Sequence, residues 1–310
     1  MATSGSVNYN VDRNDILDEA LEQIGRKAAG QTPAPAIYSS CARSLNMMIK
    51  AWQVEGTGLW KNQDLAVFQA YEGYSIDIGP SGDNATASYV KTEIATAAAS
   101  GAGSIVVDSI SGMTDGDYIG IELDDKSLQW TTINGTPAAA TITLTAALTD
   151  AAAVDNHVYT YTTKANRPVA ISEARIHYPG DTETTLEIIG RNEYMEIANK
   201  TATGLANSIY FDPQLTDANL KVWMACNDVR YWLMMTGRMP IEDFDAGDDD
   251  ADFAQEWFLP LSLNLALLIA PKFGVKVNPD LRANALMYKD NVAGFDDETT
   301  SVSFGIDNGV

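Results

Sequence analysis

The spacing of apolar residues changes twice along the chain. Residues 12–27 and 36–55 carry apolar side chains at helical intervals, and residues 253–273 do so again near the C-terminus. Between these stretches, short apolar runs alternate at period two and are separated by Gly, Asp, Asn and Pro. Intervals of three and four residues predict helices, whereas alternation predicts strands. The sequence therefore predicts helices at both ends of the chain and β-structure between them.

The two N-terminal stretches predict a helical hairpin. Asp12 is expected to cap the first helix, and Asp15 adds negative charge to its first turn. Gly56 and Gly58 are expected to end the second helix. The apolar stripe of the first helix is Ile16, Leu17, Ala20, Leu21 and Ile24, and that of the second is Ile37, Cys41, Leu45, Met48, Ile49 and Trp52.

The 253–273 stretch has the strongest apolar helix signal in the chain. Its apolar residues lie nearly all round the helix, which predicts burial, and Pro260 predicts a kink or a late start. We expect it to pack with the N-terminal hairpin as one helical core. Pro279 is placed to begin a final helix, and the polar residues 297–310 are expected to form a flexible tail.

The segment 86–164 is rich in Thr, Ala, Gly and Asp, with several short strand candidates between turn residues. This pattern predicts a small inserted β-sandwich or barrel. The expected fold class is α+β, with a helical-bundle core from both chain ends, a β-rich middle and the inserted domain. The expected domains are therefore 1–85 with 165–296 as the core, 86–164 as the insertion and 297–310 as the tail. The strand candidates of the insertion are residues 104–107, 118–123, 128–133, 141–144 and 157–161.

The charge balance restricts the partners of the chain. Its 20 basic and 42 acidic residues give a formal net charge of −22. Such a surface repels nucleic acid, because phosphate neutralisation needs clustered Lys and Arg. The ordinary interpretation is solubility, and the more specific one is a passage through which DNA slides without sticking. No apolar run approaches the length of about 18 residues that a membrane span needs, and the polar first ten residues do not predict a signal peptide.

Residues that could carry chemistry are sparse. Neither His157 nor His177 has a second histidine or a cysteine at ligand spacing, which argues against a zinc site. Cys41 and Cys226 are expected to be reduced and buried. Gly101 and Gly103 do not form a phosphate-binding loop, because the third glycine and the lysine are missing. The sequence therefore predicts no catalytic, cofactor-binding or metal-binding residue, and the chain is expected not to be an enzyme.

Two features leave alternatives open. The acidic run Asp243, Asp245, Asp248, Asp249, Asp250 and Asp252 is interpreted either as a solvated loop or as a divalent-ion site, although it lacks the EF-hand glutamate. Trp52 and Trp257 are expected in the core. Trp60, Trp130, Trp223 and Trp232 are expected either in the core or on a contact surface.

Several ordered segments together resemble one protein family. Those of the first part are Asp15-Ile16-Leu17-Asp18-Glu19-Ala20-Leu21, Ile24-Gly25, Ala29-Gly30-Gln31-Thr32-Pro33, Leu45-Asn46-Met47-Met48, Ala51-Trp52, Glu55-Gly56 and Gly58-Leu59-Trp60. Those of the second part are Arg191-Asn192-Glu193-Tyr194, Lys200, Ile209-Tyr210-Phe211-Asp212-Pro213, Leu220-Lys221-Val222-Trp223, Arg238-Met239-Pro240-Ile241-Glu242-Asp243, Glu256-Trp257, Leu263-Asn264-Leu265-Ala266 and Ala270-Pro271-Lys272-Phe273-Gly274. They resemble the tail accessory factors of short-tailed bacteriophages, also called head-to-tail adaptors or head completion proteins.

The resemblance implies a structural role in the virion neck, after assembly in the host cytoplasm. Members of that family form a homo-oligomeric ring, usually of twelve copies, under the portal protein. They extend the DNA channel, help to retain packaged DNA without reading its sequence, and present a docking surface to the tail hub or nozzle proteins. No cofactor and no membrane partner is implied. By position, residues 278–310 would be the arm that reaches the portal.

Two other classes of function remain as alternatives. One is a tail-associated cell-wall hydrolase that acts through paired carboxylates. The other is a carbohydrate- or capsid-binding tail component, with the binding site on the inserted segment 86–164.

Overall fold

The chain divides into two units whose boundaries fall between Lys61 and Asn62 and between Pro240 and Ile241. A computed structural model describes residues 5–6, 9–55 and 59–295. The helical unit is formed by the two chain ends, up to Lys61 and from Ile241 onward, and the β-unit is the continuous segment Asn62–Pro240. Both the expected end of the second helix at Gly56 and Gly58 and the expected tail 297–310 lie outside the described residues.

The first two helices begin close to the expected positions. Asp12 caps the first helix: its side chain accepts a hydrogen bond of 2.8 Å from the Asp15 backbone N–H, as predicted. Pro35 is the first residue of the second helix. A backbone N–H at this position has no acceptor within the helix, so proline, which lacks the N–H, loses no hydrogen bond there. The described α-helices, numbered in chain order, are α1 (Arg13–Gln23), α2 (Pro35–Val54), α3 (Arg191–Glu196), α4 (Phe258–Ile269) and α5 (Pro279–Phe295).

The helical unit has one buried core, to which residues from both chain ends contribute. Leu17 of α1, Leu45 of α2 and Leu265 of α4 are completely buried in the same cluster. Trp52 and Trp257 lie in it with their ring centroids 5.8 Å apart, which confirms their expected place in a core. The Lys289 ammonium of α5 lies 4.6 Å from the centre of the Trp52 ring, a cation–π distance.

The expectation that the 253–273 helix is buried all round is wrong in two respects. The α-helix is shorter, Phe258–Ile269, and 3₁₀ turns at Gln255–Trp257 and Ala270–Phe273 flank it. Leu259 near the start of α4 and Leu268 near its end are each 45% exposed, so the helix is not buried on every side. Among the described helices, none combines the length and apolar composition that crossing a lipid bilayer requires.

The β-unit contains all of the described sheets. Its strands are β1 (Asn62–Phe68), β2 (Ser75–Ile78), β3 (Ala85–Thr86), β4 (Val90–Thr96), β5 (Ser104–Val107), β6 (Tyr118–Glu122), β7 (Leu128–Thr132), β8 (Thr141–Thr143), β9 (His157–Tyr161), β10 (Ala170–His177), β11 (Glu183–Thr185), β12 (Glu187–Ile188), β13 (Thr203–Gly204), β14 (Ser208–Asp212), β15 (Ala218–Trp223), β16 (Ala225–Cys226) and β17 (Trp232–Arg238).

Two sheets of the β-unit share one core. The first has the order β11-β10-β17-β1-β3 and the second the order β12-β14-β15-β2. Alternate residues of both, such as Val67 and Leu233 from the first and Ile78 and Leu220 from the second, are buried in the same cluster. This sharing is the packing of a β-sandwich. A short parallel pair, β13 with β16, completes this part of the unit.

The inserted segment forms a six-stranded sheet of its own, with the order β7-β6-β9-β4-β5-β8. Beyond the ends of β7 and β8, Ile133 pairs with Leu144, and the Thr145 N–H donates to the Thr132 carbonyl at 2.9 Å. These contacts bring the two edge strands together, so the sheet curls round a separate core that includes Ile94, Ile119 and Val158. The five strand candidates of this segment correspond to β5, β6, β7, β8 and β9 within one residue.

The expected fold class is wrong. We predicted a helical-bundle core with β-structure attached to it, whereas four sheets dominate the described chain, and the α-helices other than α3 lie in the smaller of its two units. The physical reason is that the strands on either side of the insertion bury apolar faces against each other, and not against helices.

Replacing Leu265 should destabilise the helical unit strongly. Leu265→Ala leaves a cavity in a closed core, which costs about 2–5 kcal/mol of unfolding free energy. Leu268→Ala on the solvent side of the same helix is the matched control, with an expected cost below about 0.5 kcal/mol. Urea unfolding followed by circular dichroism measures both, and equal losses would contradict the assigned faces of α4.

Candidate functional site

The two histidines hold strands in place, and their contacts suggest no catalytic pairing. His157 is buried, and its Nδ1 lies 3.0 Å from Oε2 of Glu122. The same carboxylate oxygen accepts the His157 backbone N–H at 2.9 Å, so Glu122 joins β6 to β9. His177 stacks on the Trp232 ring with the centroids 4.1 Å apart. Neither arrangement contains a nucleophile beside a base, which acyl transfer would require.

No cluster of three or more metal-binding side chains occurs in the part of the chain that the structure describes. Cys41 and Cys226 are free and buried, as expected. Burial raises the pKa of the Cys226 thiol to about 11, so this thiol stays protonated and unreactive near neutral pH.

Three carboxylates of the acidic run bind the protein's own groups. Asp249 accepts hydrogen bonds from the backbone N–H of Asp245 at 2.7 Å and from that of Ala246 at 2.5 Å. Asp252 lies 2.7 Å from the Lys61 ammonium. Asp243 lies 2.8 Å from the Lys50 ammonium. The run is a loop of the helical unit in which Asp243, Asp245, Asp248 and Asp250 are exposed. This agrees with the interpretation as a solvated loop, to which the internal contacts of Asp243, Asp249 and Asp252 are an addition.

Aromatic side chains fasten the insertion to the rest of the β-unit. We call this group the aromatic cluster; its members are Phe68, Tyr89, Trp130, Tyr159, Tyr161 and Trp232, with neighbouring ring centroids 4.8–6.5 Å apart. Tyr159 is completely buried, and burial with the nearby Glu122 charge raises the pKa of its hydroxyl. Trp130 and Trp232, which the sequence left undecided, thus belong to packing within the unit. Such ring pairs stabilise beyond the area that they bury.

An ion pair lies beside the aromatic cluster. The Arg230 guanidinium donates to Asp228 at 2.5 Å and lies 3.8 Å from Glu122. Burial acts to raise the pKa of Asp228, but the hydrogen bonds from Arg230 outweigh it and hold this pKa below its usual value. Glu122 belongs to the insertion, and Arg230 lies in the segment before β17. The Glu122–Arg230 contact is therefore an electrostatic link between the insertion and the rest of the β-unit.

The best candidate for a functional site is a set of exposed apolar side chains on the helical unit. We call it the apolar helical surface; it consists of Met47, Val54, Leu268, Leu286, Met287 and Tyr288. Met47 is 64% exposed and Val54 is 84% exposed. Exposed apolar side chains on one small unit are candidates for burial in a contact with another protein chain. Met47 and Val54 lie on the same face of α2, with the exposed Lys50 between them, so this surface is suited to association and carries a charge beside its apolar groups.

Neither this surface nor the aromatic cluster was predicted from the sequence. Helical periodicity marked the residues of α4 as apolar, but it could not show which of them lack a partner. A scan against protein-family models found no matching family, and searches of the curated proteins and of the solved structures found no similar protein.

Gly120 is required by the packing of Trp130. A Cβ atom at this position would lie 2.7 Å from the indole ring. Gly120→Ala should therefore lower the unfolding free energy of the β-unit by about 1–3 kcal/mol. Gly103→Ala is the control, since its added Cβ would meet no atom within 4 Å. Urea unfolding followed by tryptophan fluorescence measures the unfolding free energy of both variants. A Gly120→Ala variant as stable as the unmodified chain would contradict this packing.

The Asp228–Arg230 pair should stabilise the β-unit in a pH-dependent way. Because the pKa of Asp228 is lowered in the folded state, its ionised form contributes stability above the unfolded value of about 4, and the contribution is lost as the pH falls through the folded value. Asp228→Asn should lower the urea midpoint at neutral pH and lower it less near pH 3. Asp108→Asn, at an exposed carboxylate, is the control. A pH-independent effect would contradict the ion pair.

Proposed function

We propose that the chain is a structural, non-enzymatic subunit of a short-tailed phage particle. In this role it is the head-to-tail adaptor that forms a ring under the portal protein, extends the DNA channel and offers an attachment surface to the tail. The observation that carries the proposal is the apolar helical surface, because a closed ring needs a patch through which each copy contacts the next. Exposed apolar area of this kind gains free energy when it is buried between subunits.

The packing of the resembling segments supports the proposal. Leu21 and Trp52 come from the first part of the resemblance, and Trp257, Leu265 and Ala270 come from the second part. All five lie in the same buried cluster of the helical unit. Segments separated by some two hundred residues therefore share one buried core. This is expected if the two resembling parts of the sequence belong to one folded body.

The charge of the chain supports a channel role. A formal charge of −22 keeps a DNA-facing wall from binding phosphates. The ordered acidic run adds fixed carboxylates to the helical unit without assembling a metal site in the described residues. Negative charge without a metal cluster among the described residues suits a channel through which DNA passes, and not a site that binds DNA.

Assembly of the full chain tests the proposal directly. We expect mass photometry of the purified chain mixed with the portal protein of the same particle to show a ring of many copies. Val54→Asp places a charge on the apolar helical surface and should reduce ring formation at least about tenfold without lowering the unfolding temperature. Leu215→Asp is the control, at a residue of the β-unit that is 93% exposed.

Two outcomes would contradict the proposal. One is a chain that stays monomeric even with portal rings present. The other is clearing of peptidoglycan in a zymogram that a single Asp or Glu replacement abolishes, which would favour the hydrolase.

A further inference from the structure

A groove on the helical unit combines an apolar lining, exposed mainly at Leu259 and Tyr9, with a carboxylate rim. We call it the α1–α4 groove; it has a volume of about 490 Å³ and is lined mainly by Tyr9, Val11, Ile16, Phe258, Leu259 and Ser262. The Tyr9 ring packs edge-on against Phe258 at 6.2 Å between centroids, yet Tyr9 is 70% exposed. Apolar side chains therefore line a concave surface that remains accessible to another molecule.

The carboxylates of the rim lie along one face of α1. Asp15, Asp18, Glu19 and Glu22 all line the groove, and their spacing of three and four residues aligns them on a single helical face. At 1.5 Å per residue this row is about 10 Å long. Like charges at such intervals destabilise an isolated helix by a few tenths of a kcal/mol per pair. Asp15 is favourable at the helix N-terminus, where its carboxylate accepts the Asp12 backbone N–H at 3.4 Å, so the repulsion falls mainly on Asp18, Glu19 and Glu22 farther along the helix.

Only part of this charge is neutralised within the chain. The Lys27 ammonium lies 2.8 Å from Asp18 and 3.1 Å from Glu22, and it is the one cation among the described residues that line the groove. Glu19 has no ion pair among the described residues; its carboxylate accepts a hydrogen bond from Gln23 at 2.7 Å. The rim thus keeps an excess of negative charge beside the exposed side chain of Leu259.

We infer that the α1–α4 groove is a docking site for a basic amphipathic helix of another protein. An apolar side chain of the partner would fill the groove beside Leu259, and Lys or Arg one turn away would meet Glu19 and Asp15. Helix-in-groove recognition combines these two features, with apolar anchors for affinity and charge for orientation.

Charge complementarity selects this occupant over the others. Nucleic acid and anionic lipid carry the same sign as the rim and are repelled. The last residues of the chain, 296–310, contain four acidic residues and no Lys or Arg, so they cannot neutralise it. The inference extends the proposed function and does not rest on it, because the groove would bind such a helix whether or not the chain forms rings.

A defined probe tests the inference on the full chain. The probe is a fluorescein-labelled peptide of leucine and lysine, about four helical turns long, with leucines on one face. Fluorescence anisotropy should show binding by the unmodified chain and none for the matching peptide of leucine and glutamate. Glu19→Lys and Leu259→Ser should each weaken binding about tenfold or more.

Matched variants outside the groove distinguish it from general attraction to an acidic protein. Glu173→Lys reverses another exposed carboxylate, and Leu215→Ser alters another exposed leucine; both should change binding less than about twofold. Glu19→Gln, which keeps the size of the side chain, repeats the test if Glu19→Lys unfolds. The inference is overturned if the unmodified chain does not bind the lysine peptide, or if the Glu173→Lys variant loses as much affinity as Glu19→Lys.

Discussion

Burial of α1 and α2 against α4 is the interaction on which the helical unit depends. α1 has 11 residues and α4 has 12, which is too short for a stable isolated helix in water. Their stability therefore comes from the shared core around Leu17, Leu45 and Leu265. These residues lie at opposite ends of the sequence, so the helical unit cannot form until both ends of the chain have been brought together.

The β-unit meets this requirement through the pairing of its first and last strands. β1 and β17 are antiparallel neighbours, and Asn62 pairs with Arg238. The chain therefore enters and leaves the β-unit at adjacent points. The two distant segments that form the helical unit thus start close together. The insertion repeats the arrangement, because Val90 at the start of β4 pairs with Thr160 near the end of β9. The aromatic cluster then fixes the insertion to the neighbouring strands.

Local features were predictable from the sequence, and features that depend on distant partners were not. The Asp12 cap, the buried cysteines and the strands of the insertion follow from short-range patterns. The sequence did not show that the sheets form the larger core. Alternation shows that a strand has an apolar face, but it does not show which element covers that face. The role of Asp249 was missed because its partners are backbone N–H groups of a folded loop. The exposure of Leu259 was missed for the same reason, because helical periodicity does not show which neighbours cover each side of α4.

The central claim is that the apolar helical surface joins copies of this chain in a ring. A cryo-EM map of the chain assembled on a portal ring tests it most directly. The account predicts a closed ring in which Met47, Val54 and Leu268 of each copy are buried against a neighbouring copy. A map in which these side chains face solvent, or in which single copies bind without touching one another, would contradict it.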